Sequence, residues 1–62
     1  MFTGETLFAE ALKHVESASI RDWATSERNR SSWLQLAARA AATGKYDAER
    51  FAAYMVATAM GL

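Results

Sequence analysis

The sequence predicts an all-α fold, a small bundle of three to four short helices that pairs into a dimer. Three observations predict it. Alanine, the strongest helix former, recurs throughout, while β-branched residues are sparse. No stretch alternates apolar and polar residues over enough positions to make a half-buried strand. Proline is absent, and Gly4, Gly44 and Gly61 fall where helix ends would put them.

The first helix is expected to start after Thr3 as N-cap, with Glu5 complementing the dipole of its first turn, and to run to about Ala18. Leu7, Phe8, Ala11, Leu12, Val15 and Ala18 then share one face, and Glu10, Lys13 and Glu16 point away from it. A second, shorter helix is expected from Ser19, which with Asp22 approximates a capping box, and it gathers Ile20, Trp23 and Ala24 before fading near Glu27.

If that helix simply continued through Ser26–Ser32, Arg30 would enter the apolar face made by Trp33, Leu34 and Ala37. A break is therefore expected there, with Ser32 and Gln35 as a second capping box and a third helix from Trp33 to Thr43, closed by Gly44. The last helix opens at Asp47 as N-cap, carries Glu49 in its first turn and ends at Gly61.

That last helix sets the expectation of a dimer. Phe51, Tyr54, Met55, Thr58 and Ala59 form one face, while Ala53, Ala57 and Met60 form the other, and no charge follows Arg50. A helix apolar on all sides needs cover on all sides, which three other short elements can hardly give. Ala53, Val56, Ala57 and Met60 are the expected homodimer interface. The alanines at 37, 38, 40, 41 and 42 allow close helix approach but contribute little apolar area each. The large apolar residues expected to fill the core are Phe2, Leu7, Phe8, Leu12, Val15, Ile20, Trp23, Trp33, Leu34, Leu36, Tyr46, Phe51, Tyr54, Met55 and Val56.

Length and composition bound the function. Residues 1–62 make one domain, near the lower limit for independent folding, and without cysteine neither a disulfide nor a thiolate metal site can brace it. The opening stretch has no basic n-region and meets Glu5 and Glu10 early, unlike a signal peptide, so a cytoplasmic protein is expected. The uncharged run from Phe51 to Leu62 is well short of the roughly 20 residues of a membrane span.

Seven Lys plus Arg balance seven Asp plus Glu, so no global field favours nucleic acid or an anionic membrane. Locally the balance shifts. Residues 21–45 hold Arg21, Arg28, Arg30, Arg39 and Lys45 against Asp22 and Glu27, five cations against two carboxylates and a net +3.

Chemistry finds little support. His14 is the sole histidine, and with Glu10 it offers two metal ligands at i, i+4 spacing but no third, which favours a boundary histidine paired with Glu10. Ser17, Ser19, Thr25, Ser26, Ser31 and Ser32 sit in no nucleophile motif and read as caps; no phosphate-binding glycine loop is present, and no cofactor is expected. With so few acids and bases among so many alanines, the sequence does not read as an enzyme.

The stretch with a functional look is Arg28-Asn29-Arg30-Ser31-Ser32-Trp33, where two guanidiniums and a tryptophan occur together. Arg28 and Arg30, in the expected connection, and Arg39, on the outward side of the third helix, are the candidate partner-binding residues, with Trp33 at the edge of that surface or beneath it in the core. The competing interpretation is a buried Trp33 and ordinary solvated arginines.

The function that asks least of these residues is a protein–protein interaction module: a regulator, adaptor or inhibitor that binds a macromolecular partner with an acidic surface. The alternative is a helix-turn-helix DNA-binding protein reading bases through Gln35 and Arg39. Against it stand zero net charge and a connection longer than the three or four residues of such a turn.

Overall fold

Local signals set most of the helix ends. In the computed structural model, which describes residues 3–61, four helices follow one another: α1 (Gly4–Lys13), α2 (Ala18–Thr25), α3 (Glu27–Thr43) and α4 (Ala48–Ala59). Thr3 caps α1, its hydroxyl accepting from the Thr6 N–H at 3.2 Å, and Asp47 caps α4, its carboxylate accepting from the Arg50 N–H at 2.8 Å. Gly44 closes α3 at φ 68°, where its N–H reaches the Ala40 carbonyl and a side chain would strain the backbone.

The first two helices divide differently from the sequence expectation. Instead of running to Ala18, α1 stops at Lys13, with His14 as C-cap donating its N–H to the Ala11 carbonyl. Val15 then turns inward from the connecting loop, fully buried, while Arg21 donates its guanidinium to the Val15 carbonyl. That bond gives a loop acceptor a partner that no helix supplies. Ser17, rather than Ser19, caps α2 by accepting from the Ile20 N–H at 3.3 Å. Ala18, Ser19 and Asp22 are exposed residues of α2 itself.

The largest correction is the start of α3. It begins at Glu27, six residues before Trp33, and a single residue, Ser26, joins it to α2. Three hydrogen bonds lock this corner: Ser26 Oγ donates to the Trp23 carbonyl at 2.9 Å, and Asn29 Nδ2 donates to the same carbonyl at 3.0 Å and to Ser26 Oγ at 3.2 Å. Two of them satisfy the Trp23 carbonyl near the end of α2, and the turn into α3 is made within one residue. Arg30 stays exposed despite the unbroken helix, at the margin between Glu5 of α1 and Thr25 of α2, where a long side chain can lie along Leu34 with its head in water. Ser32 and Gln35, read as a capping box, are exposed positions inside α3.

α1 is the centre of the bundle. It packs against α3 on one side and α4 on the other, and α2 closes the assembly by touching both. Gly4 sits where α1 meets α3: a Cβ there would come within 2.8 Å of the Ala38 backbone. Gly4 is thus required by close approach and not by its backbone conformation, since Gly44 and Gly61 are the glycines with positive φ, and part of the alanine run is used inside the chain to bring two helices together.

Leu7, Phe8, Val15, Trp33, Phe51 and Met55 are buried as expected, with Leu12, Ile20, Trp23, Leu34 and Val56 half-buried around them. Small residues fill the rest, namely Ala11, Ala24, Ala37, Ala40, Ala48 and Ala52. Leu36, Tyr46 and Tyr54 correct the expected core: they are 37%, 45% and 47% exposed. The buried face of α4 is rotated toward Ala48, Ala52 and Met55, which lie close to α1, so Tyr54, Thr58 and Ala59 turn outward. Phe2, also expected in the core, lies outside the described residues. No helix among the described residues is long and apolar enough to cross a membrane.

Candidate functional site

A single indole organises the surface of most interest. Trp33, 4% exposed, meets Trp23, Phe51 and Tyr54 edge-on, with ring centroids 5.7, 5.9 and 5.8 Å away and interplanar angles of 71°, 89° and 76°. The positive edge of one ring meets the negative face of another, a geometry worth about 0.5–1.5 kcal/mol per pair beyond burial. Of the two places considered for Trp33, the structure takes the inner one: it lies beneath the surface and supports it.

The rings have a second effect. They hold α3 and α4 apart, so these helices meet through side chains while their backbones stay separate. Between them runs a groove of about 220 Å³, with Phe51 on its floor, Leu36, Tyr46 and Tyr54 on its walls and Arg39, Ala40 and Thr43 along α3.

The arginines expected to act together are dispersed. At about 100° per residue, Arg28 and Arg39 fall on nearly the same line of α3, about three turns apart, while Arg30 lies roughly 200° around the helix. Arg28, Ser32, Gln35 and Arg39 form an exposed polar stripe. Arg30 instead borders an open trough with Glu5, Glu27 and Leu34. The expected three-arginine surface at one helix end is therefore corrected to one arginine at the groove, one farther along its stripe and one on the other side, because Arg28 and Arg30 are helical and not in a loop. Arg21, counted in the basic middle, is half-buried and engaged with Val15.

The expected dimer residues line the far side of α4. Ala53 is exposed, Val56 and Ala57 are half-buried, and Met60 is 63% exposed. Ala53, Val56 and Ala57, with His14 and Glu49, border a shallow depression away from the α3–α4 groove, and Met60 lies outside it. Glu10, expected to pair with His14, pairs with Lys13 at 3.3 Å. Among the described residues no three His, Cys, Asp or Glu side chains gather as a metal site would require.

Leu36, Tyr46 and Tyr54 were missed as surface residues. A signal existed for two of them: Tyr46 falls between the stop at Gly44 and the cap at Asp47, a segment that belongs on the surface, and a tyrosine hydroxyl favours a wet position. Compared with known proteins, the chain matches no family model, no curated sequence and no solved structure.

Proposed function

We propose that this chain is a small protein–protein interaction module, a regulator, adaptor or inhibitor that works by occupying a macromolecular partner and carries out no catalysis. One observation supports this reading above the rest: among the described residues, three of the four exposed large apolar side chains, Leu36, Tyr46 and Tyr54, converge on one groove. A clustered apolar patch beside an arginine is the composition of an interface anchor, since aromatic residues and arginine are enriched where partners bind. The open side of α4, with Ala53, Val56, Ala57 and Met60, supports a homodimer as the form in which the module works. A cytoplasmic location fits the absence of cysteine.

A helix-turn-helix DNA-binding protein is the second reading, favoured by the exposed Arg28, Ser32, Gln35 and Arg39 stripe on α3. It is the weaker one. The one-residue joint at Ser26 is shorter than the three or four residues of such a turn, and two arginines neutralise few phosphates.

Site-directed photo-crosslinking in the source cell tests the proposal. A crosslinker at Tyr54 is expected to capture another protein, one at Glu16 to capture none, and one at Met60 to yield the chain's own dimer. If Tyr54 captures no protein, the interaction-module reading fails; if DNA is captured from Gln35 instead, the second reading replaces it. In sedimentation at micromolar concentration the wild type is expected as a dimer and Met60→Glu as a monomer; a monomeric wild type removes the dimer.

A further inference from the structure

We infer that the α3–α4 groove takes one large apolar side chain from an acidic segment of a partner protein, with a carboxylate beside that anchor pairing with Arg39. This rests on the interaction-module reading and specifies its partner. Size comes first. At about 220 Å³ the groove is smaller than the roughly 300–1,000 Å³ of small-molecule sites, so it suits one inserted side chain better than a free substrate. Its floor and walls are apolar, and Tyr46 and Tyr54 stand half-exposed at its margins, as an anchor pocket requires.

Charge identifies what accompanies the anchor. Arg39 lines the groove, no carboxylate does, and among the described residues Arg39 forms no ion pair. Lys45 adjoins Tyr46, and Arg50 lies one turn before Tyr54. The nearest carboxylate in sequence, Asp47, accepts the Arg50 N–H and serves the N-terminus of α4. An uncompensated guanidinium beside an apolar pocket complements a carboxylate, which it can hold through two parallel hydrogen bonds.

A second copy of this chain fits less well. Outside the groove, Met60 is the one exposed large apolar side chain among the described residues, and no Asp or Glu follows Glu49. A copy inserting Met60 would bring no carboxylate side chain of its own helix turn to Arg39.

The test selects displayed random twelve-residue peptides against the full chain, then titrates the chain into a dye-labelled synthetic copy of an enriched peptide, whose fluorescence anisotropy reports binding. Enriched sequences are expected to place Asp or Glu within about one helical turn of a Leu, Phe or Trp. Arg39→Ala is expected to weaken binding about tenfold or more, and Arg30→Ala, on the opposite side of α3, less than about twofold. Leu36→Glu should abolish the anisotropy response, with circular dichroism confirming that each variant stays helical. Enriched peptides without acids, or an affinity indifferent to Arg39→Ala, would overturn the acidic partner while leaving an interaction module in place. Peptides that still bind Leu36→Glu, a selection that enriches none, or a wild-type dimer that Leu36→Glu splits would overturn the groove as the docking site. The module reading itself is judged separately by crosslinking from Tyr54.

Discussion

Two seams of this bundle differ in how closely their helix backbones approach. Where α1 meets α3, Gly4 lies against the Ala38 backbone, so the two backbones come into contact, and the open trough bordered by Glu5, Arg30 and Leu34 runs alongside that contact. Where α3 meets α4, Trp33, Phe51 and Tyr54 stand edge-to-face and keep the backbones apart, leaving the groove. Side-chain size, more than hydrophobicity, decides how closely the backbones of a helix pair approach. Small residues let axes approach, while large ones fill the space between them but cover its mouth incompletely.

The comparison can be broken from either side. Trp33→Ala removes the support of the α3–α4 seam and is expected to cost about 3–5 kcal/mol through lost burial and the cavity left behind. A 62-residue domain has roughly 3–9 kcal/mol in total, so this variant should lose at least about a third of its stability, read as a large fall in urea midpoint by circular dichroism. A cooperative, near-wild-type urea transition would mean that Trp33 does not hold α3 and α4 in place.

Gly4→Ala attacks the close contact of α1 with α3. The added Cβ would sit 2.8 Å from Ala38 backbone atoms that no side-chain rotation can move, so a shift of α1 is forced and about 1–3 kcal/mol is lost. On helix propensity alone the same change would stabilise by up to about 1 kcal/mol, so the sign of the shift in urea midpoint separates packing from propensity.

The smallest effect sharpens the difference between support and surface. Tyr54→Ala removes a half-exposed ring that touches Trp33 and Phe51, and about 1 kcal/mol is expected from partial burial and the lost edge contacts. The variant should remain folded, with a modestly lower urea midpoint. A loss as large as that of Trp33→Ala would make Tyr54 core and not groove wall.

The helix ends show how far the chain can be read without its fold. Thr3, Gly44 and Asp47 were legible because a cap is a local object, one side chain or one backbone angle acting on groups about three or four residues away. The pair Ser32 and Gln35 had the same spelling and was misleading. The backbone groups it would have capped already lie within a helix that starts at Glu27, and the turn was made earlier by Ser26 and Asn29 bonding back to Trp23. A capping motif states what a residue can do; whether the helix ends there depends on what precedes it.

The candidate site was legible in part for the same reason. Arg39 was placed on the outward side of its helix by periodicity alone, and it is exposed there beside the groove. Arg28 and Arg30 were grouped with it on the expectation of a loop, and the helical turn between them sends them to different sides of α3. Leu36, Tyr46 and Tyr54 were assigned to the core because they are large and apolar, yet burial depends on whether another helix lies over them.

By itself, then, the sequence determined the all-α class, three of the helix caps and the residues able to form a core, since these follow from backbone preferences and hydrogen bonds spanning a few residues. Tertiary structure alone decided that Gly4 is a packing glycine, that Ala48, Ala52 and Met55 rather than Tyr54 face inward, and that a groove lies between α3 and α4. The physical reason is that coverage is a property of pairs distant in the chain. Only when α1 fits closely between its neighbours and Trp33 separates the other two does any given apolar side chain find itself inside or out.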